Sequence, residues 1–133
     1  MKMSGNRFLL DTNIVVPFLN GDQEILDRFK QLPEINIPFL SLGELYYGAH
    51  KSSKTVQNLE KIKLFIESHC NVIHSSELTT EFYGELKNEL LKQGTPIPEN
   101  DIWIASLSRE HSFTLVTRDK HFKNITDLNL VKW

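Results

Sequence analysis

Four carboxylates, Asp11, Glu44, Asp101 and Asp119, stand where a folded chain can gather them. Asp11 ends the apolar run Arg7–Leu10. Glu44 opens a helix-period segment after the short apolar stretch Glu34–Leu40. Asp119 lies two residues beyond the run Phe113–Thr117, and Asp101 lies at the start of the segment Ile102–Arg109. If the runs are strands of an open parallel sheet, Asp11, Glu44 and Asp119 fall at strand carboxyl ends, where such folds place their ligands. Asp101 can join them there. Carboxylates gathered in this way repel one another and resist desolvation, and a divalent cation resolves the conflict. An all-oxygen donor set suits Mg²⁺ or Mn²⁺ rather than zinc. Such a metal lowers the pKa of a bound water and stabilises charge on a phosphodiester in the transition state. The pattern therefore points to metal-assisted phosphoryl chemistry.

Each carboxylate also has a purely structural explanation. Asp11, with Thr12 and Asn13, offers helix-start chemistry. Glu44 completes a capping box with Ser41. Asp101 favours a helix N-terminus through the macrodipole, and Asp119 sits in turn-like sequence. Caps scatter over both edges of a sheet. Joint placement on one edge is what favours a site.

The elements that must position these residues follow from periodicity. Short apolar runs alternate with helix-period stretches, which argues for a parallel α/β sheet. Strands are expected at Arg7–Leu10, Glu34–Leu40, Asn71–His74 and Phe113–Thr117, with a last one in Leu130–Trp133. Pro17 is expected in the first turn of the helix after Asp11, where a missing N–H does little harm. Asn20-Gly21-Asp22 is a turn signal, and Ile25, Leu26, Phe29 and Leu32 recur at helical spacing. Leu42, Leu45, Tyr46 and Ala49 form the apolar face of the next helix, and His50–Lys54 is a polar break. Leu59, Ile62, Phe65 and Ile66 face inward on a further helix. Leu78, Phe82, Leu86 and Leu90 recur every four residues as a buried stripe, and Gly94 suits the C-terminal cap. Thr95–Pro98 is a rigid loop, and Glu99-Asn100-Asp101 opens another helix.

Composition bounds the function classes. The chain of 133 residues fits one domain spanning residues 1–133. It carries 15 Lys+Arg against 17 Asp+Glu, a net charge of −2, so it lacks the global basic footprint of many nucleic-acid binders. Local clusters matter more than the sum. No apolar run has membrane-spanning length, and the opening MKMSGNR lacks the apolar core of a secretory signal. A single cysteine, Cys70, excludes an internal disulfide and reads as a buried structural thiol, which makes a reducing cytoplasm the default location.

Four motifs in order carry a family resemblance. Leu9-Leu10-Asp11-Thr12-Asn13-Ile14 resembles the opening of PIN domains, specifically the VapC-type toxin ribonucleases. Ser41-Leu42-Gly43-Glu44-Leu45 with Gly48 resembles their second acidic motif, Asn100-Asp101-Ile102-Trp103-Ile104-Ala105 the third, and Leu115–Phe122 the fourth. The resemblance spans residues 9–122. It implies a three-layer α/β/α sandwich with a parallel sheet of four or five strands. It also implies Mg²⁺- or Mn²⁺-dependent hydrolysis of RNA phosphodiesters, leaving a 5′-phosphate and a 3′-hydroxyl. Residue by residue, Asp11, Glu44, Asp101 and Asp119 match the metal-binding and catalytic positions. Thr117 matches a polar residue that supports the site through hydrogen bonds. Asn13 matches a supporting position, and is equally explained as a local cap. On this reading Asp11, Asp101 and Asp119 hold the metal, while Glu44 orients or deprotonates the attacking water or joins the metal ligands. The family further implies a homodimer and a small antitoxin protein that covers the acidic pocket.

Two groups of cations flank these motifs: Lys51, Lys54, Lys61 and Lys63 beyond the second, and Arg118, Lys120 and Lys123 beside the fourth. Either can contact RNA phosphate or form a solvated face. His50, His69, His74, His111 and His121 show no i, i+4 pairing and read as surface or supporting residues. Trp103 reads as packing. One of Tyr46 and Tyr47 belongs to the core, and the other is available for a groove or a subunit contact. Two other classes compete. An aspartyl-phosphate transferase wants a second acid two residues after Asp11, and Asn13 stands there. A catalytically silent binding module of the same fold should lack some of the four acids, and all four are present.

Overall fold

Five parallel strands build the sheet in a computed structural model of the protein, which describes residues 7–133. The opening segment 1–6, from which no secretory signal is expected, lies outside the described residues, as does the side chain of His69. The elements in order are β1 Phe8–Leu10, α1 Thr12–Leu19, α2 Gln23–Lys30, β2 Asn36–Pro38, α3 Phe39–Lys51, α4 Thr55–His69 and β3 Asn71–Ile73. Then come α5 Glu77–Gln93, α6 Glu99–Glu110, β4 Thr114–Val116, a 3₁₀ turn at Lys120–Asn124 and β5 Leu130–Val131. The strand order is β3-β2-β1-β4-β5, and every neighbouring pair is parallel. The chain winds from β1 outward to β3, then crosses back to lay β4 on the other side of β1. The order therefore reverses between β1 and β4. A crevice opens at such a switch point, beyond the carboxyl ends of the two strands.

The period of two along each strand divides the apolar residues between two cores. Leu9 and Leu115 face one side, with Leu86 and Leu90 of α5, Ile102 and Leu107 of α6, and Phe113 and Phe122. Leu10, Ile37 and Val116 face the other, with Ile14 and Val15 of α1, Ile25 and Phe29 of α2, Leu45 of α3, and Ile62 and Phe65 of α4. Two cores separated by one sheet make the three layers of an α/β/α sandwich, as expected. Burial on both faces explains why the strands read as continuous apolar runs rather than alternating ones. Among the described residues no helix is long and apolar enough to cross a membrane.

Several local expectations need correction. The capping box at Ser41–Glu44 does not exist. The expected strand Glu34–Leu40 is confined to Asn36–Pro38, and α3 begins directly at Phe39, with extended Pro38 as its cap residue. Ser41 is thus already inside the helix, fully buried, and its hydroxyl has no hydrogen-bond partner. Glu44 falls in the second turn, beyond reach of a cap. The helix also continues through His50 and Lys51, so the polar break shrinks to residues 52–54. Pro17 is the sixth residue of α1 rather than a first-turn residue, and its missing N–H leaves the Asn13 carbonyl without its usual helical donor. α1 ends two residues later, at Leu19.

The stripe on α5 is rotated from the expected one. Leu86 and Leu90 are buried and Phe82 is half-buried, but Leu78 is 50% exposed. Thr79 takes the inward position instead. Its hydroxyl accepts from the Ser76 N–H at 2.8 Å and donates to Glu110 at 2.5 Å, so a polar cap replaces the first apolar layer. Gly94 closes α5 in the left-handed conformation (φ 74°), as its position suggested. Leu86→Ala should therefore cost about 2–5 kcal/mol in urea unfolding. Leu78→Ala should stay within about 0.5 kcal/mol. Equal losses would contradict this assignment of the α5 faces.

Candidate active site

The register of β1 on β4 builds the floor of the site. Leu10 pairs with Val116, and the Asp11 N–H donates to the Val116 carbonyl at 3.0 Å. Asp11 and Thr117 are therefore neighbours just beyond the strand ends. Thr117 is buried, and its hydroxyl donates to Asp11 Oδ2 at 2.7 Å. The other carboxylate oxygen, Oδ1, accepts from the Thr12 N–H at 2.8 Å, so Asp11 also caps α1. The Thr117 hydroxyl oxygen accepts in turn from the Asp119 N–H at 3.0 Å and from Asn13 Nδ2 at 3.4 Å. Asn13 Oδ1 accepts from the Arg118 N–H at 3.1 Å. Asn13 thus ties the start of α1 to the turn after β4, rather than serving as a local cap.

Asp101 and Asp119 meet at the other side of this floor. Asp101 sits at the third position of α6, and Asp119 leads into the 3₁₀ turn, accepting from the His121 N–H at 2.9 Å. The His121 imidazole turns back, placing Nδ1 2.9 Å from Asp119 Oδ1 and 3.5 Å from Asp101 Oδ2. Ligand atoms of Asp101, Asp119 and His121 lie within 4.8 Å of one another. His121 is thus an exposed supporting residue, which reaches both carboxylates through the turn two residues after Asp119.

Electrostatics single out Asp101. Burial, the Asp119 charge and a hydrogen bond with Asp119 together raise its carboxyl to about 7. Burial also works against Asp119, but bonds from the His121 N–H, Asp101 and the His121 ring hold it below its ordinary value. One carboxyl pushed up beside one pulled down marks a pair that prefers to carry one proton between them. Asp11 is raised as well, chiefly by burial. Its bonds to Thr117 and Thr12 oppose that rise, and the Glu44 and Asp119 charges add to it.

Glu44 closes the fourth side. It projects from the second turn of α3, exposed, and its Oε1 accepts from the Thr12 hydroxyl at 2.6 Å. Thr12, which sequence reasoning did not single out, thus holds Asp11 through its N–H and Glu44 through its hydroxyl. All four carboxylates line one cleft of about 480 Å³, together with Thr12, Asn13, Val16 and Pro17.

The donor set fits a hard divalent cation. Asp101 Oδ2 is buried and has no hydrogen-bond donor, as expected of an oxygen that waits for a proton or a cation. Asp11 and Asp119 present further oxygens, and His121 adds one nitrogen.

The remaining candidates distribute more plainly. Trp103 stacks on Tyr83 with ring centroids 4.0 Å apart, a packing contact between α5 and α6. Tyr46 is half-buried in the core on the α1–α4 side, while Tyr47 is exposed beside Phe39, Gly43 and Asn100. Burial pushes the Cys70 thiol up to about 12, consistent with a structural thiol. Lys61 lines a cavity of about 190 Å³ between α1, α3 and α4, adjoining Glu44. Lys51, Lys54 and Lys63 are exposed.

Comparison with known proteins matches residues 8–128 to the PIN domain family. The chain is 38% identical to ribonuclease VapC2 of Rickettsia felis, over 95% of this chain and 97% of that protein. It is 30% identical to a tRNA(fMet)-specific endonuclease VapC of Shigella flexneri, over 96% and 98%. Among solved structures it resembles VapBC2 of Rickettsia felis bound to a promoter DNA fragment, with a TM-score of 0.85 at 37% identity. That match covers 95% of this chain and 98% of the other.

The raised Asp101 carboxyl has a consequence for stability. The metal-free folded protein holds a proton that the unfolded chain releases near pH 4, so stability should fall as pH rises from about 4 to about 7. The slope is at most ~1.4 kcal/mol per pH unit, and less because Asp101 is partly solvated. The lowered Asp119 acts in the opposite sense, only below its ordinary range. Chemical denaturation in chelator should show the decline, and Asp101→Asn should make it shallower, the raised Asp11 carboxyl supplying the remainder. A variant declining as steeply as the parent would refute this origin.

Proposed function

The chain belongs to the PIN domain family, and from that membership together with the acid cleft we propose that it is a metal-dependent endoribonuclease of the VapC type, the toxin of a toxin–antitoxin pair. The observation that carries this reading is the convergence of Asp11, Glu44, Asp101 and Asp119 on one cleft at the β1/β4 switch point. Relatives named as ribonucleases align over nearly the whole chain, which supports the same chemistry here.

In this mechanism Asp11, Asp101 and Asp119 hold the cation, and Mg²⁺ or Mn²⁺ is the fitting choice for their oxygens. When bound, the metal supplies positive charge to the non-bridging phosphate oxygens and acidifies water. Thr117 fixes the Asp11 carboxylate through its 2.7 Å bond, so that residue enters the reaction already oriented. Glu44, exposed at the cleft wall and steadied by Thr12, is placed to accept the proton of the attacking water. Water adds to phosphorus, the bond from phosphorus to the 3′ oxygen breaks, and that oxygen leaves as a hydroxyl after taking a proton from solvent. The products carry a 5′-phosphate and a 3′-hydroxyl.

The partners follow from the same reading. A small antitoxin is the partner, as the VapBC structures among the relatives support, and on this reading it covers the acid cleft. The active unit is a homodimer of single-domain chains, residues 1–133 each, working in the cytoplasm.

Purified protein free of antitoxin should cleave RNA with Mg²⁺ or Mn²⁺ and stop with chelator. Asp11→Asn and Glu44→Gln should each lower the single-turnover rate by at least about a hundredfold. Undiminished cleavage by Asp11→Asn would defeat the proposed mechanism.

A further inference from the structure

We propose that the depression behind Asp119, at the β4–β5 edge of the sheet, is a phosphate-binding subsite for the RNA strand that passes through the acid cleft. The proposal rests on the RNA reading above and adds a binding surface to it. The depression encloses about 180 Å³. Arg118, Lys120, Lys123 and Lys132 line it, and Leu130 and Val131 form its floor. Four cations in one small hollow are conspicuous in a chain whose net charge is −2. All four are exposed, and among the described residues none of the three lysines forms an ion pair with a carboxylate. Arg118 is also held in place, because its Nε donates to the Trp133 carbonyl at 3.0 Å.

Position decides the occupant. Asp119 lines both the acid cleft and this hollow, so the two adjoin across its side chain. A polyanion entering a cleft of four carboxylates meets repulsion, and cations on the adjoining wall offset it by binding the flanking phosphates. The apolar floor leaves room for a ribose or base edge between cationic walls. Backbone phosphate contacts of this kind set register and orientation without reading sequence.

The experiment is fluorescence anisotropy with a labelled single-stranded oligouridylate of about a dozen nucleotides. It is run in chelator, where no cleavage occurs, over a series of salt concentrations. The double variant K123Q/K132Q should bind roughly tenfold more weakly, with a log K against log salt slope shallower by ~1.4, the loss of two phosphate contacts on a single strand. A control variant, K30Q/K92Q, removes two lysines from α2 and α5 and should keep the parental slope. Matching melting temperatures establish that the variants are folded. Equal slopes and affinities for K123Q/K132Q and the parent would overturn the subsite while leaving the nuclease reading intact. Failure of the parent both to bind RNA and to cleave it would remove the reading itself, and the subsite with it. A polyglutamate probe bound as tightly as RNA, and lost in the same variant, would assign the hollow to an acidic polypeptide and overturn the proposal.

Discussion

Like charge gathered in one place is the constraint around which this fold is arranged. Four carboxylates line one cleft, and among the described residues no lysine or arginine forms an ion pair with any of them. Instead the fold meets the carboxylates with neutral donors. Thr117 and the Thr12 N–H hold Asp11, the Thr12 hydroxyl holds Glu44, and the His121 N–H holds Asp119. Hydrogen bonds from neutral groups fix the oxygens in space and leave their negative charge in place. That charge remains available to a cation from solution, which a built-in arginine would have displaced.

The same constraint explains why the residues come from such distant segments. A switch point exists only where strand order reverses, and here that requires β1 and β4, separated by more than a hundred residues of chain, to lie side by side. Their register then determines which residues meet. A one-residue slip would exchange the two core faces and carry Thr117 away from Asp11. The two apolar cores that pin this register, with Leu9 and Leu115 on one side and Leu10 and Val116 on the other, are therefore as necessary to the site as its polar residues.

The sheet, its parallel sense and the meeting of the four acids at one edge were legible from the sequence because each rests on a short-range signal. An apolar run that ends abruptly at Asp11, or a run followed by Arg118-Asp119, declares a strand end wherever it occurs. The α3 start was not legible, because Ser41-x-x-Glu44 satisfies a capping pattern that tertiary structure overrides: β2 feeds directly into the helix at Phe39. Leu78 misled for a similar reason. Its spacing fits the stripe, but the local Ser76–Thr79 bond and Glu110 from α6 claim the inward position for Thr79. The contacts of Thr12 and His121 were not legible, because they are set by what stands across the cleft, which no local pattern encodes.

Asp101 is where the arrangement is least settled by protein groups alone. Asp11 has two donors and Asp119 has a backbone N–H and an imidazole, yet Asp101 Oδ2 is buried with none. Helix position favours charge on Asp101, since the third residue of α6 sits in the field of the helix N-terminus. Burial and the neighbouring Asp119 charge work against it, and their sum wins, because the carboxyl moves up to about 7. The raised carboxyl favours its protonated form more than its neighbours do, so a cation entering the cleft competes with a proton there.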